Sequence, residues 1–271
     1  MSAQLPGDEI RYVAIGDSFT EGVGDDLPDG GVRGWADLVA EGLAEVSGKP
    51  VRYANLAIRG RLLGPIIAEQ LLPALDLSPA PTLVSFNGGG NDMLRPGTDI
   101  PWISAETEGA MRRILEAGSE PLLLAGANPT AGLPGGGRVK AKGDELVVAA
   151  RGIADRLGIR FVDNWSDPEL AHRQYWSNDR LHLAPIGHRR VAANVLRGLG
   201  YEPPAHWVLS AEPIPRPGRR EQMRYTREHV LPWIQRRLTG RSSGDGRSAK
   251  FPDWVRVEPA SGGRPGADFG R

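Results

Sequence analysis

The chain has 271 residues, with 33 basic and 33 acidic side chains giving no formal net charge, and it has no cysteine. Disulfides, thiol nucleophiles and cysteine-based metal sites are therefore excluded, and a zero net charge supplies no global field for nucleic acid or an anionic membrane. A hydrophobic share of 40% and a charged share of 24% are ordinary for a globular protein, and the length suits one α/β domain of about 200 residues with an extension.

The opening stretch, MSAQLPGDEIRYVAIGDS, carries no apolar core of signal-peptide type. No uninterrupted apolar run approaches the roughly 18 residues of a membrane-spanning helix. The expectation is a cytoplasmic protein without a transmembrane segment. Short apolar runs then alternate with stretches of helical period. Strands are predicted at 11–15, 51–54, 82–86, 122–125 and 160–162, and helices near 35–46, 61–72, 105–117, 141–157 and 185–199. The strands are rich in Val, Ile, Leu and Phe, as expected where both faces are covered. Five βα units give the fold class: α/β, a three-layer α/β/α sandwich on a five-stranded parallel sheet of flavodoxin-like type, spanning residues 1–200.

Residues 201–271 form a C-terminal extension of different composition. Segment 216–241 holds eight Arg against two Glu. Met223, Val230, Leu231, Ile234 and Leu238 give it partial helical period, about 220–239, divided by Pro232. The favoured reading is a solvated helical face packed on the domain, with contact to a partner as the alternative. Residues 241–271 are rich in Gly, Pro and Ser and read as flexible. The exception is FPDWVRVEP at 251–259, an apolar patch suited to docking on the main domain.

In a parallel sheet of this kind, ligands sit at the carboxyl ends of the strands. Residues just after strands can meet there. After the first strand comes Gly16-Asp17-Ser18-Phe19, either a helix cap or a nucleophile on the sheet edge. After the second comes Asn55-Leu56-Ala57-Ile58-Arg59-Gly60, whose glycine lets a backbone N–H approach a ligand closely. After the third comes Phe86-Asn87-Gly88-Gly89-Gly90-Asn91-Asp92, a turn whose Asn91 amide is suited to a developing oxyanion. After the fifth comes Asp179-Arg180-Leu181-His182, in which a carboxylate three residues before a histidine can hold its tautomer.

Each group alone reads as readily as a cap or turn. Together, GDSFTEG at 16–22, NLAIRG at 55–60, GGND at 89–92 and DRLH at 179–182 resemble the four blocks of the SGNH (GDSL) hydrolase family, over residues 10–200. The resemblance implies a serine-dependent ester hydrolase. Ser18 would be the nucleophile, His182 its general base and Asp179 the group orienting the imidazole. The backbone N–H groups of Ser18 and Gly60, with the Asn91 side chain, would form the oxyanion hole. It implies a small-molecule ester substrate and leaves the acyl group open; no cofactor, metal or nucleic acid is expected. The competing readings are a non-catalytic small-ligand binding protein on the same fold and a flavodoxin-like nucleotide binder. The latter has no G-x-G-x-x-G or P-loop lysine to support it.

Around these blocks, Asp92 is a candidate to fix the loop that aims Asn91, and neither Asp17 nor Asp92 receives a catalytic role. His188 reads as a surface residue. Trp165, Tyr175 and Trp176 are as suited to packing as to lining an acyl pocket. The long loop 128–138 is expected to border the entrance.

Overall fold

The computed structural model describes residues 9–95, 97–130, 136–210, 212 and 243–260. The Arg-rich segment 216–241, its expected helix and the middle of the loop 128–138 lie outside the described residues. Five strands, β1 (Ile10–Ile15), β2 (Val51–Asn55), β3 (Leu83–Phe86), β4 (Glu120–Ala125) and β5 (Arg160–Asp163), run parallel in the spatial order β5-β4-β3-β1-β2. The chain leaves β1 toward β2 on one side and returns to β3 on the other. That reversal opens a crevice at the carboxyl end of β1, the place where ligands bind in open α/β sheets.

Among the described residues the sheet has six strands, one more than expected. Residues of the 251–259 patch form β6 (Phe251–Val257), antiparallel to β2 on the outer edge. An isolated apolar segment does not reveal which sheet edge is open to receive it. Only the assembled order leaves the ladder of β2 free, and an edge position tolerates Pro252.

Alternating strand residues serve opposite layers. Tyr12 and Ala14 face the cluster covered by α2 (Trp35–Ser47) and α8 (Pro185–Gly198), which contribute Trp35, Leu43, Val191 and Leu196. Val13 and Ile15 face the second cluster. There the cover is α3 (Leu63–Ile66), a π-helical turn (Ile67–Leu71), α4 (Leu72–Leu75), α6 (Ile100–Glu116) and α7 (Gly136–Leu157). Burying each large apolar side chain contributes about 1.5–3 kcal/mol. Two further one-turn helices, α1 (Ser18–Glu21) and α5 (Gly90–Met93), stand directly after β1 and β3.

Two helices begin earlier than their periodicity suggests. In α6 the Asp99 side chain accepts from the Trp102 amide at 2.9 Å, and Pro101 sits in the first turn, where its missing N–H costs nothing. In α7 the start at Gly136 lies so close to the Thr130 carbonyl that a Cβ there would stand 2.1 Å from its oxygen. Poor intrinsic helix propensity hides that first turn from the sequence. Among the described residues no helix is long and apolar enough to cross a membrane.

Candidate active site

Ser18 opens α1 at the carboxyl end of β1. Asp17 caps that helix, its Oδ1 accepting from the Phe19 amide at 3.0 Å. The approach is fixed from below by Gln70, which lies in the π-helical turn. Its Oε1 accepts from the Gly16 N–H at 2.8 Å and its Nε2 donates to the Gly16 carbonyl at 3.0 Å. A Cβ at position 16 would lie 2.6 Å from Thr20 Oγ1 and 2.8 Å from the Asn87 carbonyl oxygen, so only glycine fits.

The second block is tied to the first at three points. The Ile58 amide donates to the Gly16 carbonyl at 3.3 Å. Buried Asn55 donates to the Thr20 carbonyl at 3.1 Å and to the Tyr53 hydroxyl at 2.8 Å, while its Oδ1 accepts from the Ala57 amide. Glu21, at the end of α1, takes the Arg59 amide at 2.6 Å and the Arg59 guanidinium at 2.8 and 2.5 Å. Gly60 follows with φ of 74°, a left-handed conformation that favours glycine. Among the described residues, neither the Ser18 N–H nor the Gly60 N–H enters an internal hydrogen bond.

The third block turns at Gly89, φ 85°, into α5. The Asn91 amide nitrogen donates to Asp17 Oδ2 at 2.9 Å and to the Arg61 carbonyl at 3.0 Å. Asp92 accepts from the Leu63 amide at 3.0 Å, which ties this loop to the start of α3 and matches its expected bracing role. Burial pushes the Asp17 carboxyl up to about 6, against the Phe19 amide and the charge of His182. Asp17 thus joins the serine and asparagine blocks.

The fourth block is a tight turn between β5 and α8. Asp179 Oδ2 lies 2.6 Å from His182 Nδ1. Its Oδ1 accepts from the Ser177 hydroxyl at 2.7 Å and from the Leu181 and His182 amides, each at 3.0 Å. Arg180 takes φ of 57°, and the Ser177 amide closes the turn on the His182 carbonyl at 2.9 Å. Burial works against the Asp179 charge, but the hydrogen bonds and charge of His182 and the Ser177 hydroxyl hold the carboxyl well below its usual range. An ionised Asp179 only accepts, so Nδ1 carries the proton and Nε2 keeps the lone pair of the neutral ring.

This turn packs against the loop that follows Ser18. The Ser18 carbonyl accepts from the Gly22 and Val23 amides, each at 3.1 Å. A Cβ on Gly24 would lie 2.1 Å from the Leu183 carbonyl oxygen and 3.3 Å from His182 Cβ. The four blocks therefore share one edge of the sheet. No hydrogen bond joins the Ser18 hydroxyl to His182 among the described residues, whose ring pairs with Asp179.

His188 is not on the surface. It is fully buried between α8 and the Ser18 loop, with Nδ1 accepting from the Trp35 amide and Nε2 donating to the Val23 carbonyl, each at 3.2 Å. Burial, joined by the charges of Lys250, His182 and Arg33, pushes its imidazole down to about 3. The signal for this was in the sequence: His188 stands three positions before Val191, on the apolar stripe of α8. Gln70 carried the same signal, a polar residue among buried Ile66, Ile67, Leu71 and Ala74. Glu21 and Asn55 carried none beyond their place in the blocks.

The aromatic candidates divide. Tyr175 and Trp176 belong to the core, with the Tyr175 hydroxyl on Glu169 and Leu209 and the Trp176 indole donating to the Leu170 carbonyl at 2.7 Å. Trp165 packs with Met93 and Val147, next to the asparagine block, and donates to Asp144 at 2.8 Å.

The pattern of the GDSL-like Lipase/Acylhydrolase family matches residues 14–190, a span that holds all four blocks. The chain belongs to this family. Solved structures similar to this GDSL-like chain include Axe2, an acetylxylan esterase from Geobacillus stearothermophilus. It is 17% identical, with a TM-score of 0.58 over 74% of this chain and 98% of that one. A lipase/acylhydrolase from Enterococcus faecalis is 19% identical, with a TM-score of 0.52 over 69% and 94%. The psychrotrophic esterase EstA from Pseudoalteromonas sp., solved inhibited by monoethylphosphonate, is 15% identical, with a TM-score of 0.55 over 71% and 97%. At these identities the likeness is one of fold. No curated protein matches the chain.

Proposed function

We propose that this GDSL-like chain is a serine-dependent ester hydrolase, a carboxylesterase or acylhydrolase, with Ser18 as nucleophile, His182 as general base and Asp179 as the group that orients it. The observation that carries the reading is the Asp179–His182 pair at 2.6 Å, packed against the loop of the Ser18 helix, with Nε2 free of hydrogen bonds among the described residues. A histidine so held has the tautomer a general base needs.

In the reaction, Nε2 takes the Ser18 proton as the hydroxyl oxygen attacks the ester carbonyl. The tetrahedral oxyanion is met by the N–H groups of Ser18 and Gly60, which have no hydrogen-bond partner among the described residues. Asn91 keeps one amide hydrogen on Asp17 and turns the other from the Arg61 carbonyl to the oxyanion. The imidazolium returns its proton to the departing alcohol. Water, deprotonated by the same nitrogen, then attacks the acyl-enzyme, and the imidazolium returns that proton to the Ser18 oxygen as the acid leaves. The Ser18–His182 contact of this reading is one that forms with substrate, since catalytic hydrogen bonds are often long beforehand and tighten in the reacting complex.

The absence of that contact among the described residues is the one observation favouring a non-catalytic ligand-binding protein. A monoethylphosphonate ester and a series of p-nitrophenyl esters from acetate to long acyl chains separate the two. The hydrolase reading requires phosphonylation and turnover that both vanish in Ser18→Ala while the variant keeps its fold. Turnover retained in Ser18→Ala, or no labelling and no turnover in the folded wild type, overturns it. The slope of rate against chain length then reads the depth of the acyl pocket.

A further inference from the structure

Beyond residue 190 the chain lies outside the family match, yet residues 243–251 return to the edge that carries the four blocks, and β6 anchors them along β2. β6 pairs with β2, with Phe251 in register with Asn55, the first residue of the glycine block. The residue just before this strand is Lys250. Its ammonium donates to the Glu21 carbonyl at 2.7 Å, to the Val32 carbonyl at 3.2 Å and to Asp37 Oδ2 at 2.5 Å. Asp37 is almost fully buried, and the same oxygen also takes the Gly34 amide at 2.7 Å. A buried carboxylate of this kind holds its partner firmly, because separating the two would leave an uncompensated charge in a medium of low dielectric.

Glu21 is consequently gripped twice. Lys250 holds its backbone carbonyl from one side, and Arg59 holds its carboxylate from the other. One turn before Glu21 stands Ser18, and one residue after Arg59 stands Gly60. The same returning segment also presses on the glycine block directly. A Cβ at Gly244 would lie 2.1 Å from the Arg59 carbonyl oxygen and 2.9 Å from Ile58 Cγ2. The peptide that carries the Gly60 N–H begins at that carbonyl.

We infer that residues 243–257 are a strap that sets the spacing of the Ser18 and Gly60 N–H groups, with Lys250 as its positioning residue and Gly244 as its contact with the glycine turn. The inference rests on the proposed oxyanion hole. An oxyanion donor displaced by about 1 Å loses most of its value in the transition state, at a cost of about 100-fold, while ground-state binding of the ester hardly changes.

The test uses the full chain. Lys250→Met alone would strand the Asp37 charge, so the informative protein is Lys250→Met combined with Asp37→Asn. Asp37→Asn alone serves as the reference, since it keeps Lys250 on the two carbonyls. With p-nitrophenyl acetate the double variant is expected to lose about 10- to 100-fold in kcat relative to that reference. KM should stay within about twofold, and phosphonylation of Ser18 should slow in parallel. Restoring the charge as Lys250→Arg in the Asp37→Asn background should recover part of kcat, which general loosening of the fold does not predict. A kcat within about twofold of the reference overturns the inference. Should the double variant not fold, Gly244→Ala decides: the same loss of kcat in a folded protein supports the strap, and unchanged turnover refutes it. Failure of the hydrolase reading shows separately, as turnover that survives Ser18→Ala.

Discussion

His188 ties the loop after Ser18 to α8, and its burial makes a prediction with a definite sign. The imidazole is held down to about 3, against an ordinary value of 6.5, because burial removes it from water and the charges of Lys250 and Arg33 oppose a further positive one. In the unfolded chain the ring binds a proton below pH 6.5; in the folded protein it stays neutral until about 3. The stability from this depressed histidine is therefore fully present above 6.5 and is lost progressively as pH falls toward 3. One pKa unit corresponds to about 1.4 kcal/mol. At pH 5 the unfolded ring has gained about 1.5 units' worth of protonation free energy, so the loss there is about 2 kcal/mol. Asp17 and Glu41, raised by burial to about 6 and about 7, act in the opposite direction. They take up protons in the folded state as pH falls through those values, and so they mask the histidine in a simple stability curve.

Comparing wild type with His188→Gln at each pH removes that masking, since both proteins carry the two carboxyls. Urea unfolding followed by tryptophan fluorescence at pH 8, 7, 6 and 5 gives the difference directly. The margin of wild type over the variant is expected to shrink by about 2 kcal/mol between pH 8 and pH 5, almost all of it below 6.5. A margin constant within about 0.5 kcal/mol over that range would refute the reasoning. So would an NMR titration in which the His188 ring protonates near its ordinary value.

Two predictions concern the site directly. Asn91→Ala should lower kcat by about 100- to 1000-fold with little change in KM; a loss of threefold or less in steady-state ester hydrolysis would remove the asparagine from the oxyanion hole. Gly24→Ala adds a Cβ 2.1 Å from the Leu183 carbonyl oxygen at φ of 101°. It should cost about 1–3 kcal/mol in urea unfolding and lower kcat by shifting His182. A variant unchanged in both stability and turnover would show that the Ser18 loop and the histidine turn are not coupled.

Much of the parallel sheet was legible in the sequence because buried strands are continuous apolar runs and the helices between them keep their period. Val13 and Ile15 on one face, with Tyr12 and Ala14 on the other, are enough to announce a strand covered twice. The four blocks were legible as positions: three follow β1, β2 and β3, the Asp179–His182 turn lies between β5 and α8, and all four reach one edge of the sheet. His188 and Gln70 were misread or passed over although each interrupts an apolar helical stripe. Such an interruption marks a polar group that must find buried partners, and it does not name them.

The sequence alone determined the local geometry: which segments become strands, where α1 is capped by Asp17, and how the Asp179 carboxylate meets a histidine one turn away. Those interactions join residues close in the chain, so local preference and short-range hydrogen bonds suffice to specify them. Only the tertiary structure decided that β6 completes the sheet, that Lys250 reaches Asp37 and the Glu21 carbonyl, and that the Gly24 loop lies against the histidine turn. These contacts bridge long stretches of chain. Their partners are chosen by which edge stays unpaired and which charge is left buried once the layers have packed, conditions that do not exist before the chain has folded.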